Sequence, residues 1–228
     1  MASSLTRYQT SWSGSYQTAW SGTSEFVPRD GTATRQRILD TAERLVIENG
    51  YAATTVDQVI AESRTSKGSF FHHFDSKLDL ARSLVARYAA ADIAHLDDAV
   101  ARARAATDDP AEQVIAFVRV FEDDADELMS AQSSCLYVSI LTERQLADAG
   151  TSKQIVEAIT AWRTTLSTML RAALDQRRPG HDIDTDALAD HVFVTFEGAF
   201  LLCRSTGDNG HMRAQLTVLR QLLESLLA

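Results

Sequence analysis

An all-helical protein is predicted by three observations. Only three prolines interrupt 228 residues. Ala and Leu, both strong helix formers, are abundant. Apolar side chains recur at spacings of three and four from Thr34 almost to the C-terminus. With 45% hydrophobic and 23% charged residues the chain has a globular composition, which excludes wholesale disorder. No run of 18 apolar residues occurs, so no membrane partner is expected. The opening MASSLTRYQTSW lacks the apolar core of a signal peptide, so a cytoplasmic location is expected. Cys135 and Cys203 are too few and too far apart for a disulfide framework or a four-cysteine zinc site. The net charge of −9 argues against coating nucleic acid by bulk attraction. That charge is uneven: residues 1–90 hold 10 Lys and Arg against 9 Asp and Glu, whereas residues 91–228 hold 12 against 22. Any surface for phosphate is therefore expected before residue 90.

Residues 1–31 are rich in Ser, Thr, Gln, Gly and aromatics without a helical period, and are expected to form a disordered tail. From Thr34, the residues Ile38, Leu39, Ala42, Leu45 and Val46 form one apolar stripe, and Gly50 is a natural C-terminal stop. Thr55 and Gln58 make a capping box that opens a short second helix to about Glu62, with Val56, Val59 and Ile60 facing inward. Ser66 caps a third segment, Lys67 to His73. Ser76-Lys77-Leu78-Asp79 reads as another capping box, starting a longer helix through Leu80, Leu84, Val85 and Tyr88. Asp109-Pro110 is an N-cap with proline at the first helical position. A break at Gly150-Thr151-Ser152 precedes a long helix carrying Ile155, Ile159, Trp162, Leu166, Met169 and Leu170, which ends before Pro179-Gly180. Two last helices are expected at roughly 185–204 and 211–227, the final one striped by Leu216, Leu219, Leu222, Leu223 and Leu226.

Three short helices within residues 34–73, with a tight turn at Ser63–Thr65, make a helix-turn-helix. The third carries Ser66, Lys67, Gly68, Ser69, His72 and His73, all small or polar. It must dock through Phe70 and Phe74 and leave its other face for a partner. Gly68 weakens the helix, which makes sense where a backbone must approach DNA closely. A solvated surface helix, or an adaptor binding a protein through residues 66–77, is the alternative reading of this segment. Adjacent helical residues point about 100° apart, so His72 and His73 cannot chelate one metal ion together. No metal or cofactor is expected.

The runs Thr34-Arg35-Gln36-Arg37-Ile38-Leu39-Asp40-Thr41-Ala42, Glu48-Asn49-Gly50-Tyr51, Thr54-Thr55-Val56, Ser66-Lys67-Gly68-Ser69, His72-His73-Phe74 and Ser76-Lys77 resemble the TetR family of bacterial transcriptional regulators in order and spacing. The resemblance implies an all-helical homodimer with an N-terminal helix-turn-helix DNA-binding domain (32–78) and a C-terminal ligand-binding and dimerisation domain (79–228). It further implies a repressor that answers to a small-molecule inducer and binds a palindromic operator in double-stranded DNA; an activator of the same fold is the alternative. The implied contacts are Thr55 and Lys77 on phosphates, Ser66, Lys67, Gly68 and Ser69 on base edges, and His72 at the strand. Arg35, Thr54, Arg64, Thr65, Phe71 and His73 complete the set. Two departures stand out. The turn reads Ser63-Arg64-Thr65 where the family usually has a small residue, glycine and valine, so Arg64 is expected in a less favourable backbone conformation, within reach of a phosphate. Phe71 stands where a tyrosine hydroxyl commonly touches the DNA backbone, so that contact is lost.

Past residue 90, Phe117, Phe121, Leu128, Cys135, Tyr137, Trp162, Met169, Phe196 and Phe200 either fill a core or line a cavity. His191 and Glu197 are polar residues within apolar runs, placed to orient a ligand, to meet an internal partner or to cross a dimer interface. The expected ligand set is Phe117, Phe121, Cys135, Trp162, Met169, His191, Phe196 and Phe200. Cys135 opens a stretch resembling a branch of the family in which some relatives sense electrophiles; inert packing is the alternative. The Asp123-Asp124-Asp126-Glu127 run is expected to be a solvated helix face rather than a cation site. No nucleophile elbow, phosphate loop or dinucleotide fingerprint occurs, so no enzyme is expected. Phe193, Val194, Leu201, Leu202 and the final leucine stripe exceed what one subunit needs to cover, which points to a two-fold dimer.

The tail contains a repeat. Tyr8-Gln9-Thr10-Ser11-Trp12-Ser13-Gly14 recurs as Tyr16-Gln17-Thr18-Ala19-Trp20-Ser21-Gly22. The first copy, with the first base of the Ser15 codon, can be encoded by TACCAGACCAGCTGGTCTGGTA, which is its own reverse complement, and the second fits the same string except at the Ala19 codon. Residues 1–26 are thus expected to be a translated operator region, with Val27 as a GTG initiation codon and half-sites TACCAGAC and GTCTGGTA.

Overall fold

The computed structural model describes residues 31–131, 151–177 and 182–228. The repeat-bearing tail of residues 1–30, together with Cys135 and Tyr137, lies outside them. Among the described residues every regular element is an α-helix. Helix α1 (Gly31–Asn49) begins three residues ahead of the apolar period, adding one polar turn, and stops at Gly50, whose φ of +83° is the left-handed conformation a helix C-terminus favours. Helices α2 (Val56–Glu62) and α3 (Lys67–His73) start where their caps predict. The Thr55 hydroxyl accepts from Gln58 N–H at 3.2 Å, and the Gln58 side chain answers on Thr55 N–H at 2.9 Å.

Helix α4 (Lys77–Ala106) runs for 30 residues, about 45 Å. Its cap differs from the expected box in one partner. Ser76 Oγ accepts from Asp79 N–H, but the Asp79 carboxylate accepts from Asp75 N–H, one residue ahead of the cap. Helix α5 (Pro110–Asp123) follows the Asp109 cap, α6 (Ala125–Ala131) follows a kink at Asp124, and α7 (Thr151–Arg177), α8 (Thr185–Thr206) and α9 (Gly210–Leu226) are the remaining helices among the described residues. The acidic run at the kink is not simply solvated: Asp124 pairs with Arg102 at 2.6 Å and Asp126 with Arg213 at 3.0 Å.

Helix α5 is the centre of the body, packing on α4, α6, α7 and α9, with Phe117 wholly buried. One continuous core joins Ile38 and Phe70, through Leu84 and Phe117, to Leu219. Arg87 on α4 reaches both Asp40 and Glu43 on α1, clamping the first helices to α4. At the opposite side, Glu122 at the end of α5 is held by α9: Arg220 Nε donates at 2.6 Å and Thr217 Oγ1 at 2.7 Å, while Arg220 also pairs with Glu224 at 2.7 Å.

Those hydrogen bonds from Arg220, ahead of the opposing cost of burial, hold the Glu122 carboxyl below its ordinary value of 4.5. A depressed acid pKa means stabilisation that is fully present above pH 4.5 and is lost as pH falls through the lower folded value. Glu122→Gln should therefore cost about 1–3 kcal/mol at neutral pH in urea melts, and below pH 4.5 the variant should lose less stability than the parent. Parallel stability–pH curves for the two proteins would refute this role.

Candidate nucleic-acid interface

The α2–α3 turn is built by backbone geometry. Arg64 N–H donates to Ala61 O and Thr65 N–H to Ile60 O, the paired bonds of a Schellman ending, and Arg64 takes the left-handed position at φ 53° where glycine is usual. The strain expected from the sequence is present. It is held from outside by Arg37 on α1, whose Nε donates to Ser63 O at 2.9 Å, and from within by the Ser63 and Thr65 hydroxyls, 3.0 Å apart. Arg37 was not among the expected residues; its signal was only its place immediately before the α1 stripe.

Helix α3 docks through Phe70 and Phe74, buried to 0% and 1% exposure, with ring centroids 5.7 Å apart. Ser66, Lys67, Gly68, Phe71 and His72 are exposed and Ser69 is half-buried, so the small polar side chains share an open face. A Cβ built on Gly68 would meet no atom within 4 Å, so nothing inside the protein requires glycine there. Phe71 is 45% exposed and stands edge-on to Phe70, an apolar ring displayed at the rim of that face. His73 is half-buried; desolvation, then the neighbouring His72 and Arg35, hold its pKa below 6.5.

The other expected contacts divide. Thr54 is buried, and its hydroxyl donates to Gly50 O at 2.9 Å, so its side chain is turned into the fold. Thr55 is exposed but spends its hydroxyl on the capping box. The Lys77 ammonium lies 4.1 Å from the Tyr51 ring centre and donates to Ala52 O at 3.3 Å, tying the start of α4 to the α1–α2 loop. Arg35 folds back over the Phe74 ring and donates to Ser83 Oγ at 3.1 Å.

In the body, Trp162 gathers Phe117, Phe121, Phe193 and Phe196, with ring centroids 5.6–6.2 Å away. Beside it Phe121, Trp162, Phe196 and Phe200 join Tyr88, Asp92, His95 and Glu197 around a space of about 40 Å³. A larger space of about 230 Å³ shares His95, Phe121 and Leu128 and is rimmed by Asp98, Arg102, Asp124 and Glu127. Four of the eight expected ligand residues line the smaller space. Three do not: Phe117 and Met169 are buried packing outside the lining, and His191 is exposed on α8 despite its apolar neighbours. Of the α4 residues, Asp92 and His95 were missed because polar residues at helical spacing read as a solvated face, and Tyr88 because it read as one more member of the helix's apolar series. The final leucine stripe also divides, since Leu216, Leu219 and Leu223 face the subunit's own core. Val194, Leu201 and Leu202 on α8 and Val218 and Leu222 on α9 are five of the seven large apolar residues exposed among the described residues, at 40–64% exposure, the others being Phe71 on α3 and Val156 on α7.

Arg64→Gly should relieve the left-handed strain and raise stability by about 1 kcal/mol, seen as a higher melting temperature. A lower one would show that the arginine side chain, rather than the turn's bonds, stabilises the α2–α3 junction.

Comparison with known proteins agrees with this architecture. Residues 38–84 match the family described as "Bacterial regulatory proteins, tetR family", and residues 110–219 match "Tetracyclin repressor-like, C-terminal domain". Over 175 residues the chain is 25% identical to the transcriptional regulator AcuR of Cereibacter sphaeroides, covering 75% of this chain and 77% of that one. A stretch of 46 residues, 20% of this chain and 24% of the relative, is 41% identical to the helix-turn-helix regulator QacR of Staphylococcus aureus. A TetR-family regulator from Agrobacterium tumefaciens superposes with a TM-score of 0.70 at 23% identity, covering 87% of this chain and all of that one. With a matching head and a matching body, the chain belongs to the TetR family and is a DNA-binding transcriptional regulator rather than an enzyme.

Proposed function

We propose that the protein is a cytoplasmic, ligand-responsive repressor that binds a palindromic operator as a homodimer, with residues 32–78 as the reading head and 79–228 as the sensing and pairing body. The observation that carries the reading is the α3 face. An exposed lysine, two serines and a glycine with open space above it sit on a helix whose other side is anchored by two buried phenylalanines. Such a helix can enter a major groove, with Lys67 on a guanine edge, Ser66 and Ser69 on neighbouring bases, and His72, Phe71, Arg64 and Thr65 near the strands. Gly68 lets the backbone come close.

Sensing is assigned to the space between α4, α5, α7 and α8. Its aromatic wall suits an apolar small molecule, and Trp162 Nε1, buried with no hydrogen-bond partner among the described residues, offers one a donor. Pairing is assigned to the apolar residues exposed on α8 and α9. Because α9 also fills the core, pairing is better tested by surface substitutions than by removing the helix.

Gel shifts test the head. Lys67→Ala should weaken operator binding about 10- to 100-fold and relax base preference. Gly68→Ala should bind less well while melting no lower than the parent, since alanine favours a helix by about 1 kcal/mol. Unchanged affinity in both variants would sink the reading. For pairing, Leu201→Glu with Leu222→Glu should give a folded monomer in sedimentation that has lost operator affinity; a monomer binding as tightly as the parent would refute the dimer.

A further inference from the structure

The described helices make no use of the heptapeptide repeat, which precedes α1. Its two copies agree at six of seven positions, which a merely polar segment does not require. Read as nucleotides, the repeat acquires a symmetry. Tryptophan has the single codon TGG, whose two guanines pair with the second and third bases of ACC for Thr10. The two fixed guanines of Gly14 pair with the first base of the Gln9 codon and the last of TAC for Tyr8. These fixed bases never conflict, and the free ones can all be chosen to complete an inverted repeat.

The one difference between the copies falls at the dyad. Ser11 and Ala19 occupy the central codon, so the second copy keeps both nine-base arms, TACCAGACC and GGTCTGGTA, and changes only among the four bases between them. The final A of the second copy comes with any codon for Thr23. Each copy spans about 22 base pairs, the two turns that a dimeric helix-turn-helix covers. The copies start eight codons apart, leaving about two base pairs between them, so two dimers could lie side by side without overlap.

We propose that the stretch of this protein's own gene encoding residues 8–23 holds two tandem operators for the protein itself, and that it thereby represses its own synthesis. The proposal rests on the dimeric DNA-binding reading above and adds the sequence that is read. The operator's two-fold symmetry matches that of the dimer, each arm offers guanines to Lys67, and the four central bases are those that a pair of recognition helices straddles. The operator assignment holds whichever codon initiates.

The experiment is fluorescence anisotropy with the full chain and a labelled TACCAGACCAGCTGGTCTGGTA duplex at physiological salt. Binding should be at least about 100-fold tighter than to a duplex of the same composition with scrambled arms. It should change less than about threefold when the central AGCT becomes GCCT, and the complex should hold two chains per duplex. Lys67→Ala should erase most of the discrimination. Equal affinity for intact and scrambled arms overturns the proposal, as does a gene whose codons break the arms in both copies. Selection from a random duplex pool separates the two levels: enrichment of an unrelated inverted repeat ends the operator assignment alone, whereas no enrichment at all also ends the reading of the α3 face.

Discussion

Helix α4 joins the helix-turn-helix head to the C-terminal body without a break, and the geometry of both depends on it. Its first turns bury Leu80, Ala81, Leu84 and Val85 against the head, its middle supplies Tyr88, Asp92 and His95 to the cavity wall, and its last turns bury Leu96, Ala99 and Ala103 against the body. A packed helix moves as a unit, because close-packed cores switch between arrangements rather than deform smoothly. A ligand that prefers one setting of the α4 wall therefore prefers one setting of the head, and its leverage equals its difference in affinity for the two.

The fold was largely legible in the sequence because its punctuation is chemical. Thr55, Ser66, Ser76 and Asp109 each cap a helix through their own oxygen, and Gly50 closes one. The head's open face was legible too, since a helix with two phenylalanines on one side and small polar residues on the other has one way to dock. Long-range partners were not. That Thr54 turns inward to Gly50, that Arg37 braces the turn from another helix, and that His191 faces out while Asp92 and His95 face a cavity all depend on how helices cross. One-dimensional periodicity does not carry that information.

Two positions in the head break a local rule, and Gly198, inside α8 with open space above it, is a third in the body. Arg64 occupies a glycine's conformation and Gly68 occupies an alanine's place. Consistency between local preference and fold is the norm, so such conflicts mark places where a requirement other than folding is being met. Each of the two in the head is tolerated because its surroundings are firmly built: the turn has its own bonds, and α3 has Phe70 beneath it.

The internal engagement of the head's arginines bears on how the protein searches a chromosome. Arg35, Arg37, Arg44 and Arg87 all direct their guanidinium groups at partners within the fold, leaving Arg64 and Lys67 as the cations of the open face with no ion pair among the described residues. Those two cations then set how many phosphate charges this face neutralises in the proposed docking, and how many counterions it releases. Affinity should consequently fall only gently as ionic strength rises, and the strongly acidic body adds repulsion to any off-target encounter. Such a regulator spends little time on random DNA, so modest copy numbers suffice to keep its specific sites occupied.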